Sequence, residues 1–427
     1  MEPDRGRRTL TYRWVCLGLL LFSGFLAFFT RLAPAVATPD LRDAFMLNAA
    51  ELGLLTSLYL WPFALMQPLA GLLTDAMGSR RTVTTFLLIA GVGQLLFALA
   101  PVLPLAFLGR ILTGIGMSTL YVGAAAIMAQ WFRRSEFGTL TGLWTSVANI
   151  GGLSAAAPLA ATIALVGWRW SFIGVALAVL VAAFLVHHFV RDSPRACGLP
   201  SLSEIDGVSS PDIATPAIAF GQSLRVVLRA PNTWLLGGYA FLLFGTMTMM
   251  QGLWAVPYLM DVYGQTQQQA ANRLTLWAVG LIVGCTLWGY MADKVVRTRK
   301  GVVLVGALLY GLLWVVLALR PAGLPDVLVW IAMFWGGFFA STWIPVYAQL
   351  KDSLSSQVVG TAMGILNLFF WLGGAVYQQV SGVILAGFSG SGDRPSTAYQ
   401  AVFWLCLTSI GLSIVLVACS RESRSAS

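Results

Sequence analysis

The sequence predicts an all-α membrane protein whose twelve transmembrane helices form two pseudo-symmetric six-helix bundles. Three observations predict it. Only 10% of the 427 residues are charged and 58% are hydrophobic, where soluble domains carry about 25% charged residues. Apolar runs near the ~20 residues needed to cross a bilayer recur along the chain with short loops between them. Basic residues and glycines also fall in patterns that only an ordered series of spans explains.

Taken in order, the spans are 14–37, 49–73, 82–103, 105–129, 139–163 and 168–190, then 233–260, 268–292, 301–319, 326–350, 356–385 and 398–420. The stretch between the sixth and seventh holds Pro194, Pro200, Pro211 and Pro216 among Ser and Asp, which is linker composition. The chain therefore divides into a six-helix bundle at 1–190, a linker at 191–230 and a second six-helix bundle at 231–427. Arg7-Arg8 and Ala35-Val36-Ala37 superficially resemble an export signal and its cleavage site. The apolar run is long for a signal peptide, and its removal would break the six-plus-six pattern, so it is read as the first span.

Alternate loops differ sharply in charge. One set carries 19 Lys and Arg: the N-terminus, Arg80-Arg81, Arg133-Arg134, the linker, Lys294 to Lys300, Lys351 and the C-terminus. The other set carries five: Arg42, Arg169, Arg273, Arg320 and Arg394. Basic loops stay in the cytoplasm, so both termini are expected there, in a bacterial inner membrane. A net charge of +9 spread in this way reads as topology and not as a nucleic-acid surface. The five cysteines form no CxxC and no disulfide framework. Two adjacent histidines, His187 and His188, are too few for a metal centre and sit at a span end.

The halves repeat. Gly138-Thr139, Gly142 and Gly151-Gly152 match Gly360-Thr361, Gly364 and Gly373-Gly374 at one offset of 222, and Gly71 and Asp75 match Gly289 and Asp293 at 218. Parallel repeats of this kind are common in secondary transporters, with the substrate near the midplane between the halves.

The loop after the second span reads Gly71-Leu-Leu-Thr-Asp75-Ala-Met-Gly78-Ser-Arg80-Arg81. It resembles the signature loop of the major facilitator superfamily. A second copy, Gly289-Tyr-Met-Ala-Asp293-Lys294, lacks the later glycine. Arg110-Ile-Leu-Thr-Gly114-Ile-Gly116 resembles the Arg-then-Gly motif of the family's fourth span, and Asn149 to Pro158 loosely resembles its glycine-proline element. The resemblance covers essentially the whole chain. It implies transport of a small solute by alternating access, without cofactor or catalytic residues. It also implies a gating set of Gly71, Asp75, Gly78, Arg80, Arg81, Arg110, Gly289 and Asp293. In the family, the residue at Asp75 contacts the start of span eleven, near Ser355 and Ser356 here, when the inner side is closed.

The substrate site is sought where polarity is expensive. A charge inside a span costs about 2.5–3.5 kcal/mol on insertion scales. Arg31 lies about 26 Å along the helix from Trp14, with Pro34 one turn later, and a guanidinium is a bidentate partner for carboxylate or phosphate. Anion-transporting branches of the superfamily keep an Arg in span one, and Arg31 looks like that residue. The alternative is that Arg31 pairs with Asp40 or Glu51. Arg110 is the other embedded charge, poised between a substrate-facing and a structural role. An offset of 223 pairs Arg31 with Trp254 and Pro34 with Pro257, leaving Gln251 and aromatics on the second side. Organophosphate exchangers of the superfamily typically place an Arg in both halves, so the resemblance with a missing second-half Arg argues against a doubly charged phosphate ester and for a monocarboxylate, an amino-acid-like zwitterion or a similar small anion. Candidate substrate residues are Arg31, Tyr121, Gln251, Trp254, Asn367 and Trp371; Tyr59, Gln67, Trp144, Asn149, Trp343 and Tyr347 are further cavity-lining candidates.

The spans contain almost no carboxylate away from their ends, and the residue beside Arg31 is Thr30. A coupling ion, proton or exchanged anion, therefore stays open, with Glu51 one route. No hydrolase, kinase, redox or Walker motif occurs, so the chain is read as no enzyme. Efflux of drugs or other solutes on the same fold, and a membrane substrate sensor without transport, are the competing functions. The expected partners are a small anion and the lipid bilayer, with the protein working as a monomer.

Overall fold

The computed structural model describes residues 3–133, 135–200, 202–206, 220–296, 298–355, 358–388 and 395–422. Arg134, Pro211, Pro216, Arg297, Ser356 and Arg394 lie outside the described residues, as do the side chains of Asp293 and Lys294. Eleven helices among the described residues are long and apolar enough to cross a membrane: Gly6–Val36, Ala49–Met77, Ser79–Leu99, Leu103–Trp131, Trp168–Phe189, Pro231–Tyr263, Gln267–Tyr290, Arg299–Leu319, Asp326–Asp352, Val359–Gly387 and Pro395–Cys419. A bent pair, Phe137–Ser154 with Ala157–Val166, supplies the twelfth. The expected fifth span at 139–163 is thus broken by 42°. Pro158, second residue of the continuing segment, has no N–H to carry the helix ladder through the break.

Local chemistry sets the helix ends. Asn48 and Glu51 form a reciprocal capping box at the start of span two, and Thr266 with Gln269 does the same for span eight. Each box satisfies two otherwise orphaned donors. Gly78 joins spans two and three at φ 82°, a conformation that favours glycine. Thr9 Oγ donates to the Pro200 carbonyl and Asn232 hydrogen-bonds Arg421. Both helix termini and the linker therefore share one face, called the linker face below.

Glycines dock the spans in matching pairs. A Cβ on Gly151 would strike the Phe25 backbone, and one on Gly373 the Phe241 backbone. Gly152 faces Leu32, as Gly374 faces Thr248. The offset between spans one and seven is therefore 241 − 25 = 216, and 248 − 32 = 216 agrees. This corrects the alignment at 223. The residue equivalent to Arg31 is Met247, not Trp254, and Pro34 matches Met250 instead of Pro257. Sequence matching was misled because both segments contain a proline, whereas the packing glycines fix the register. Met250 opens a π-turn, Met250–Trp254, so the second half loosens its helix where the first half has Pro34. Spans two and four behave likewise. Gly114 packs on the Tyr59 carbonyl and Gly337 on that of Trp277, giving offsets of 277 − 59 = 218 and 337 − 114 = 223. Arg110 then corresponds to Met333.

The halves meet on the face opposite the linker. Gln267 Nε2 donates to the Val36 carbonyl and to Asp40, both at 2.8 Å. Gln268 reaches the Ala157 carbonyl at 3.4 Å, and Arg42 lies 3.8 Å from Asp261. Spans two and eleven cross with almost no side chain between them. Gly53 abuts the Gln378 carbonyl, and Gly382 abuts the Ala49 carbonyl and Gly53 itself. Towards the linker face Leu65, Leu69, Leu72 and Tyr121 are exposed.

Candidate substrate site

A small cavity is lined by Arg31, Leu32, Thr56, Tyr59, Leu60, Arg110, Thr248, Gly252 and Gln378. Spans one, two and four bring the first six, and spans seven and eleven the last three. Gly114 lets spans two and four touch at the backbone, which draws Arg110 against Tyr59 one turn away. The Arg110 guanidinium lies 4.8 Å from the Tyr59 ring centre, and its Nη1 donates to the Thr30 carbonyl at 3.3 Å. Arg31 is held between the Phe28 ring at 4.4 Å and the Trp371 ring at 5.0 Å. Gln378 Nε2 donates to the Thr248 carbonyl at 3.3 Å.

The site is defined by what these groups do not satisfy. Neither Arg31 nor Arg110 forms an ion pair among the described residues. The expected alternatives for Arg31 are otherwise engaged: Asp40 accepts from Gln267 and Glu51 caps span two. Arg31 Nε, Arg110 Nε, Thr248 Oγ and Gln378 Oε1 are all buried without a hydrogen-bond partner. A cation–π contact is worth about 0.5–2 kcal/mol, whereas burying an ion costs several kcal/mol. The aromatic rings therefore orient the two guanidiniums without offsetting their burial. An anion seated between them would.

The remaining sequence candidates are dispersed. Trp371 lies at the cavity edge, packed on Phe63, Phe244 and Arg31. Trp254 donates to Ser381 Oγ at 2.7 Å and packs on Tyr399, which ties span seven to spans eleven and twelve. Asn367 accepts from the Tyr347 hydroxyl at 2.5 Å. Gln251 is buried in the π-turn, and its neighbour Gly252 reaches the cavity instead. Tyr121 is exposed and packs on Trp144, away from the cavity lining. In the loop after span two, Arg80 binds the His187 carbonyl and, through its backbone N–H, Asp192. Arg81 is exposed there, Gly78 makes the bend, and Gly71 and exposed Asp75 close span two. Gly289 sits near Ile344, and the backbone of Asp293 lies in a second π-turn, Met291–Val295. Sequence reasoning passed over Thr56, Thr248 and Gln378. The signal for Gln378 was the same as for Gln251 and Asn367, an amide deep in a span.

A family model described as Major Facilitator Superfamily matches residues 20–271 and 238–426. The chain belongs to the major facilitator superfamily. A probable sulfoacetate transporter of Cupriavidus necator is 26% identical over 91% of each chain. A probable hexose phosphate transport protein of Chlamydia muridarum is 25% identical over 88% of this chain and 85% of its own. Among superfamily structures, a bacterial homologue of the human lysosomal transporter Spinster, in an inward-facing and unoccupied conformation, superposes with a TM-score of 0.78. That match has 18% identity over 98% of this chain and 96% of the other. The superfamily fold, twelve spans in two six-helix bundles, is thus the fold seen here.

Proposed function

We propose that this superfamily transporter carries a small organic anion, bound between Arg31 and Arg110, by alternating access. The observation that carries the reading is the pair of buried guanidiniums on one cavity with no carboxylate beside them. The names of the two curated relatives, for sulfoacetate and hexose phosphate, support it. Arg110, placed by its motif among gating residues, here takes a substrate role together with Thr56, Tyr59, Thr248 and Gln378. The positive-inside pattern supports a linker face in the cytoplasm of a bacterial inner membrane, and the exposure of Leu65, Leu69, Leu72 and Tyr121 supports a cleft open on that side. Bundles at 1–190 and 231–427, joined by the 191–230 linker, rock about the cavity, and the protein works as a monomer without chemical conversion of its cargo. Among the described residues no carboxylate lines the cavity, which favours an exchanged anion over a proton relay as the coupling partner.

The test is thermal stabilisation of the purified protein against small carboxylates, sulfonates, phosphate esters, amino acids, sugars and cationic drugs. Binding to the native state raises apparent stability by mass action. An anion-specific shift, lost in Arg31→Ala and in Arg110→Ala, is the expected result. A shift only from neutral or cationic compounds, unchanged by both variants, overturns the assignment.

A further inference from the structure

The two sides of the cavity are chemically unlike. The first bundle brings both positive charges. The second brings Thr248, Gly252 and Gln378, and the positions equivalent to the two arginines are Met247 and Met333, by the offsets fixed above. The second side therefore has no cation to hold a second anionic group. It has instead two unpartnered polar atoms, Thr248 Oγ and Gln378 Oε1.

Gln378 is the more exacting of these. It is 3% exposed and fixed at both ends. Its backbone carbonyl lies against Gly53. Its amide can meet the Thr248 carbonyl only with the NH₂ end, because a carbonyl accepts and does not donate. The amide oxygen is then left without a partner, on a residue that lines the cavity. Gly252 makes room for this arrangement, since a Cβ there would stand 2.8 Å from Gln378 Nε2. A buried acceptor left unpaired is costly, so this oxygen discriminates in favour of a ligand that donates to it.

We infer that Gln378 is a specificity-determining residue, whose amide oxygen accepts a hydrogen bond from a hydroxyl on the end of the anion remote from Arg31 and Arg110. The substrate class is a hydroxylated organic acid with one anionic head. This rests on the anion reading above. A site built to hydrogen-bond a substrate hydroxyl rejects the analogue lacking it far more strongly than an apolar pocket rejects a methylene.

The experiment compares matched acids on the full-length purified protein: lactate with propionate, 3-hydroxybutyrate with butyrate, and gluconate with hexanoate. Affinities are measured for the wild type, Gln378→Leu, Gln378→Met and Arg31→Ala. The expected result is a preference of roughly tenfold or more for the hydroxy acid in at least one pair. That preference falls close to unity in Gln378→Leu while binding still depends on Arg31. Gln378→Met, closer in volume, gives the same result should the leucine variant not fold. Equal binding within every pair by the wild type, or a preference that survives both substitutions, overturns the inference and leaves the anion site standing. Failure of every acid to bind overturns the inference, and the anion reading falls with it only where sulfonates and phosphate esters also give no thermal shift.

Discussion

At the scale of single residues, the site turns on two arginines held by rings and not by carboxylates. Removing one partner of a buried charged contact costs about 2–5 kcal/mol of binding, and Arg31→Ala should weaken anion binding by that amount while the protein stays folded. Calorimetric titration of the best-stabilising anion checks it. Arg31→Lys should recover only part of the loss, because an ammonium lacks the planar fork that grips two oxygens. Arg31 was legible in the sequence because a charge inside an apolar run has few bland explanations. Arg110 was half legible: its motif pointed to structure or gating, and only the Gly114–Tyr59 backbone contact shows it turned to the same cavity. Gln378 was passed over although Gln251 and Asn367 were chosen on the same signal. All three are amides in spans, and which of them meets the cavity depends on helix rotation about the packing glycines. The second-half register was the clearest misreading, since Pro257 offered a plausible but wrong mate for Pro34.

At the scale of elements, spans two and eleven close the face opposite the linker through Gly53 and Gly382. A Cβ at either position would meet a backbone carbonyl, which cannot step aside as a flexible side chain would. Gly53→Val should hold that face open. The check is a Thr56→Cys probe in a background freed of native cysteines. It should react with an impermeant reagent from the opposite face in the Val variant and stay unreactive in the parent. The capping box at the start of span two sits on the same face. Asn48→Ala should cost about 1 kcal/mol of stability, read as a lower apparent Tm, with anion affinity unchanged. Span existence and order were readable from hydrophobic runs and loop charge. The break in span five was passed over, although Pro158 marks it: the apolar run continues through Ala155 and Ala156, and hydrophobicity alone does not register a lost N–H.

At the scale of the whole molecule, the two bundles touch on the face opposite the linker, with the cavity between them. The same packing recurs in each half, Gly151 on Phe25 and Gly373 on Phe241, so the proposed rocking falls at the seam between the bundles. Asp75 is exposed at the linker-face end of span two. If it latches that side when closed, Asp75→Asn should favour the form open on the linker face. A cysteine at Tyr121, already 42% exposed, should then label faster from the linker face; an unchanged rate on both faces counts against the latch.

On the proposed site, the two guanidiniums without ion-pair partners would also make the carrier's rocking sensitive to the membrane voltage. A unit charge carried across the full membrane field is worth about 2.3 kcal/mol per 100 mV. Should the rocking of the bundles shift the local field at Arg31 and Arg110 by even a tenth, two charges gain about 0.5 kcal/mol per 100 mV. A negative cell interior then draws the unloaded carrier toward the cytoplasm, while a bound monoanion cancels half of that pull. The resting voltage of the cell thus biases where the carrier waits for its next cargo.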